Sequence, residues 1–157
     1  QVGIYRAYYT CFVSITTSLF SVFNLVFFPT VSGYSKKEII FKKVNRLIHY
    51  LIIAGLPAVL LLGFLILKLY GKQYPFNFLL SLLFGIFAII SFANGIYAWL
   101  MAAVGLKGIR VTSFAGVVRA AIIVILNLLL IPIIGIVGSV IAGILCFIAS
   151  ILIIITS

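Results

Sequence analysis

The chain reads as five long apolar stretches separated by short punctuation, at about 4–28, 47–70, 77–104, 110–131 and 136–156. Each is close to the ~20 residues that cross a bilayer as a helix. The breaks fall where Gly and Pro cluster: Pro29 with Gly33, Gly71 with Pro75, Gly105 with Gly108, and Pro132 with Gly135. Barrel strands need ~10-residue segments of strict alternation, and these runs are longer and continuous. The pattern predicts an all-α integral membrane protein, five transmembrane helices forming a single transmembrane domain over 1–157.

Polar positions within the runs are ordered rather than scattered. In "YRAYYTCFVSITTSLFSVFNLVFFPT", Arg6, Thr10, Ser14, Thr17, Ser21 and Asn24 recur at steps of three and four, which stacks them on one helical face. The third run brings Ser91, Asn94 and Ala98 to one face. The fourth holds Arg119 near its middle, with Thr112, Gly116 and Asn127 within ~80° of it in projection and Ile123 interrupting the set. Three polar faces suit the wall of a water-accessible cavity, and Arg119 is then expected to turn toward Thr10, Ser14 or Asn94. The competing reading is packing, because Ser and Thr in membrane helices bond their own i−4 carbonyls or let helices approach closely. A central Arg costs ~2.5–3.5 kcal/mol on insertion scales, so Arg119 either meets a cavity or ligand, or partners a carbonyl or acid on another segment. Arg6, near the end of its run, also fits a snorkelling anchor, and His49 an interfacial position.

Composition confirms the environment and charge supplies the orientation. The 157 residues are 66% hydrophobic and only 8% charged, against ~25% charged in soluble domains, and mean hydropathy is +1.43. A net charge of +10 would suggest nucleic acid in a soluble chain. Here the basic residues sit mainly between apolar runs, so nucleic acid is not an expected partner, whereas membrane lipids are. "SKKEIIFKKVNR" and "GLKGIR" hold Lys36, Lys37, Lys42, Lys43, Arg46, Lys107 and Arg110, against Arg6, Lys68 and Lys72 on the opposite side. Residues 35–46 and 105–110 are therefore expected in the cytoplasm, the first run entering from outside a cytoplasmic membrane. Cys11 and Cys146 lie in apolar runs and imply no disulfide. Glu38 is the one carboxylate, so no acid–base pair, metal cluster or embedded coupling acid is expected; no enzyme, metal or cofactor follows. The sequence opens on Gln1 without the pattern of a signal peptide and reads as part of a longer protein.

The order "VGIYRAYYTCFVSITTSLFSVFNLVFFPTVSGY", a basic loop, "GLPAVLLLGFLILKLYGKQY", "NGIYAWLMAAVGLKG" and "NLLLIPIIGIVGSVIAG" resembles the C-terminal lobe of polysaccharide and oligosaccharide-lipid flippases. These belong to the multidrug, oligosaccharide-lipid and polysaccharide exporter superfamily. "FFPTVS", "YGKQY" and "LNLLLIPIIGIVGS" carry most of the likeness, which covers nearly the whole chain through order and spacing. It implies a two-lobed bundle of about twelve to fourteen helices, these five corresponding roughly to the eighth to twelfth, with a preceding lobe of the same protein as partner. It further implies movement of a lipid-pyrophosphate-linked sugar chain to the outer leaflet through a cationic cavity, Arg119 standing where such families place a cation and Arg6 matching less closely. A multidrug antiporter of the same superfamily and a non-transporting membrane scaffold are the alternatives.

Overall fold

The computed structural model describes residues 2–32, 37–71 and 76–157. Its elements in chain order are α1 (Val2–Tyr8), a π-helical segment (Tyr9–Ser14), α2 (Ile15–Ser32), α3 (Lys37–Tyr70), α4 (Phe78–Ala102), α5 (Leu106–Ile134) and α6 (Ile136–Thr156), with no strand among the described residues. Four helices are long and apolar enough to cross a membrane: α3 from Lys43 to Tyr70, α4, α5 and α6. The architecture is that of an all-α, multi-pass membrane protein. The first run is helical from Val2 to Ser32, but the π-helical segment divides it and it does not count among the four.

Several boundaries differ from the expected ones for identifiable reasons. Pro29 and Pro132 lie inside α2 and α5, each near the helix end, where only the last turns have to accommodate the missing N–H. The stop after α5 is Gly135, whose φ of 58° is a left-handed conformation that favours glycine; its N–H still reaches the Ile131 carbonyl at 2.9 Å. Gly105, at φ 102°, makes the break before α5, whereas Gly108 lies inside α5 and is buried. The basic "loop" is largely helix, because α3 begins at Lys37 and its 34 residues extend ~50 Å, well beyond the ~30 Å hydrocarbon core. Gly33, Ser35, Lys36, Lys72 and Pro75 lie outside the described residues. α4 starts cleanly: Asn77 Oδ1 accepts from the Leu80 N–H at 3.1 Å, and the Asn77 N–H donates to the Tyr8 hydroxyl at 2.8 Å.

The core has two levels stacked along α4. One gathers Tyr8, Phe12 and Val13 from the first run with Leu67, Phe84, Ala88 and Val140. The other gathers Val44 and Ile48 at the start of α3 with Ala93, Ile96, Leu100, Ala115 and Ile154. Outside these levels the surface is apolar: Leu69 is 85% exposed, Leu106 78% and Ile133 77%, as expected of side chains whose solvent is lipid.

Candidate functional site

The expected polar stripe resolves into helix chemistry at each hydroxyl for which a bond is seen. Thr10 donates to the Arg6 carbonyl at 2.9 Å, Thr17 to Val13 at 2.7 Å and Ser21 to Thr17 at 3.1 Å. Thr16 and Ser18, off the stripe, do the same to Phe12 and Ser14. Each is the i−4 back-bond that satisfies a hydroxyl in lipid without a partner helix. The π-helical segment also breaks the register assumed for the stripe. It inserts roughly one residue, so Arg6 and Thr10 are rotated by ~100° relative to Thr17 and Ser21. Arg6, Thr17 and Ser21 are exposed, and Thr10, Ser14 and Asn24 are half-buried. Two of the expected polar faces do meet, since Thr16 and Thr17 share a crevice of about 20 Å³ with Ser91 of α4.

Arg119 is half-buried in the middle of α5, and its Cζ lies 4.9 Å from the centroid of the Phe147 ring on α6. A guanidinium over a ring face at this distance gains ~0.5–2 kcal/mol, more as water is removed. Phe147 continues a ring series toward the first run: its centroid is 5.6 Å from Phe87, which is 6.4 Å from Tyr9 in the π-helical segment. Arg119 is thus linked to the first helix through aromatic rings; among the described residues it makes no hydrogen bond to Thr10, Ser14 or Asn94 and no ion pair. Phe147 carries no signal in the sequence that distinguishes it from the other 13 phenylalanines.

The three asparagines expected at a cavity share one property. Asn24, Asn94 and Asn127 each bury Oδ1 without a hydrogen-bond partner among the described residues. Asn94 is 5% exposed inside the bundle. Asn127 borders an open groove of about 370 Å³ on α5 with Val124, Leu128, Ile131 and Pro132. An unmet amide oxygen in a dry setting costs ~1–3 kcal/mol, which a hydroxyl or amide donor reaching it would recover. His49 is exposed near the start of the apolar part of α3, its Nδ1–H donating to the Asn45 carbonyl at 2.7 Å. Cys11 and Cys146 are buried free thiols, and no group of His, Cys, Asp and Glu suited to a metal occurs among the described residues.

No family model matches the chain, and no curated protein or solved structure matches it either.

Proposed function

We propose that this chain is one lobe of a flippase in a cytoplasmic membrane, moving a lipid-pyrophosphate-linked oligosaccharide to the outer leaflet by alternating access. The observation that carries the reading is Arg119: a cation in mid-span, half-exposed, braced by Phe147 and without an acid to neutralise it. Such a residue is expensive unless something anionic visits it, and pyrophosphate on a lipid carrier is an anion that must cross at this depth. The planar fork of Arg matches two phosphate oxygens at once, while the ring beneath it limits the directions it can take. Asn127, two turns further along α5, and Asn24 on α2 offer acceptors for sugar hydroxyls, and binding would favour the lobe arrangement that gathers these groups.

The test uses vesicles containing the protein and a fluorescent polyprenyl-pyrophosphate oligosaccharide, with leaflet transfer read by quenching from one side. Arg119→Ala should insert and purify normally yet lose roughly 10- to 100-fold in transfer, the equivalent of a charge-assisted hydrogen bond. Arg119→Lys should retain part of the rate. Wild-type transfer by a well-folded Arg119→Ala protein would refute the proposal. Loss of folded protein instead would assign Arg119 to the scaffold reading.

A further inference from the structure

A second feature lies away from Arg119, between α3, α4 and α6. It is a groove of about 250 Å³ with Asn45, His49 and Tyr97 at its mouth and Ile52, Ile89 and Ile148 along its walls. Asn45 and His49 stand at the start of the apolar part of α3, and Tyr97 is five residues from the end of α4, so the polar mouth sits at a membrane boundary. From Asn45 to Ile52 the groove runs inward about 10 Å along α3.

The mouth is a fixed arrangement. The Tyr97 hydroxyl donates to Asn45 Oδ1 at 2.7 Å, and His49 Nδ1–H donates to the Asn45 carbonyl at 2.7 Å. Both acceptors of Asn45 are therefore engaged, which leaves its amide N–H groups as donors and Nε2 as the nitrogen of His49 still to be met. Arg46, one turn before His49, is exposed at the edge of the groove, whereas Lys43, also exposed, projects from the opposite side of α3. The Asn45 amide and the Arg46 guanidinium are donors, while the walls behind them are hydrocarbon. A helix, ~10 Å across with its side chains, is too wide to enter.

We propose that this groove binds an anionic phospholipid of the adjacent leaflet, one acyl chain lying along Ile52, Ile89 and Ile148 and the phosphate held by Arg46 and the amide of Asn45. Basic pockets between membrane helices select such headgroups, and the chain alone would not discriminate them. The site requires no transport activity and stands or falls separately from the role of Arg119.

The experiment places the protein in phosphatidylcholine vesicles doped with phosphatidylglycerol bearing a diazirine on its acyl chain, followed by irradiation and peptide mapping. Adducts should form at Ile52, Ile89 and Ile148, at least about fivefold more than with the same diazirine on phosphatidylcholine. Exposed Ile53, on the lipid side of α3, should be labelled equally by both probes. Arg46→Ala should lower the headgroup preference about fivefold, and Lys43→Ala, on the opposite side of α3, should leave it unchanged. Ile148→Trp, at a half-exposed wall position, should block groove labelling while Ile53 labelling persists, which separates occlusion from misfolding. Equal labelling of the groove by both headgroups, or labelling at Ile53 with none at the three wall residues, overturns the proposal.

Discussion

Helices α4 and α5 are consecutive, of 25 and 29 residues, with peak hydropathy of 2.2 and 2.7, yet half of the most apolar window of α4 is buried and none of that of α5. The difference lies in where small residues meet a neighbour, since α5 also holds Gly108, Ala115, Gly116 and Ala120. Along α4, Ser81, Gly85, Ala88, Ala93 and Gly95 let neighbours close in; a Cβ at Gly85 would stand 3.3 Å from Leu56 and Leu60 of α3, and one at Gly95 2.6 Å from the Phe20 ring of α2. Lipid offers apolar side chains as good a solvent as a helix does, so hydropathy selects what enters the membrane and backbone access selects what packs. α5 meets α6, where Arg119 lies against Phe147, and touches α4, while the Asn127 groove opens on its uncovered side. The helix whose most apolar window lies uncovered is thus the one that carries both Arg119 and Asn127.

The largest effect should come where α6 closes on the end of α5. A Cβ at Gly138 would lie 2.6 Å from the Leu130 carbonyl oxygen and 2.7 Å from its carbon, and backbone cannot move aside as a side-chain tip can. Gly138→Leu should therefore cost at least the ~1–3 kcal/mol of an overpacked core, lowering the folding equilibrium constant roughly 5- to 150-fold in detergent unfolding. Normal stability of that variant would mean that α5 and α6 are not closely apposed.

The turn between the two helices provides an all-or-none comparison. Lys107 and Arg110 follow Gly105, and the basic bias predicts a cytoplasmic position for them. Lys107→Cys, exposed at the start of α5, should react with an impermeant maleimide only from the cytoplasmic side, while the buried Cys11 and Cys146 contribute little background. Ser35→Cys should behave the same way. Labelling of either from outside alone would invert the orientation.

How much of this was legible in the sequence depended on the length scale of the signal. Five apolar runs are read as spans, and four of them form helices long and apolar enough to cross a membrane, because length and hydropathy are local properties. The ends are less so: Pro29 and Pro132 read as stops, but the missing N–H matters little within a turn or two of a terminus, and of the pair Pro132 and Gly135 it is Gly135, with its positive φ, that ends α5. The six-residue stripe assumed an uninterrupted 3.6-residue period, and the π-helical segment at Tyr9–Ser14 has no local sequence marker. Arg119 announced itself by cost alone. Its ring partner Phe147, 28 positions on, was set by how α5 and α6 pack, which periodicity within one helix does not encode.

The smallest expected effect is at Gly116, one turn before Arg119, and it sharpens the comparison most. A Cβ there would find nothing within 4 Å, in contrast to Gly85 and Gly95 on α4. Gly116→Ala should thus be tolerated and gain up to ~0.5–1 kcal/mol from the helix preference of Ala, which for a protein of this size raises the melting midpoint by about 2–4 °C. Gly116→Leu should also fold, because its side chain projects into open space. If the α5 face lines a path for the substrate, the Leu variant should nevertheless slow vesicle transfer several-fold with yield and melting unchanged, since bulk beside Arg119 obstructs the approach of a pyrophosphate without touching the bundle. Unchanged transfer would leave this face to lipid. A drop in stability on Gly116→Ala would instead reveal a close helix against α5, and with it the scaffold reading.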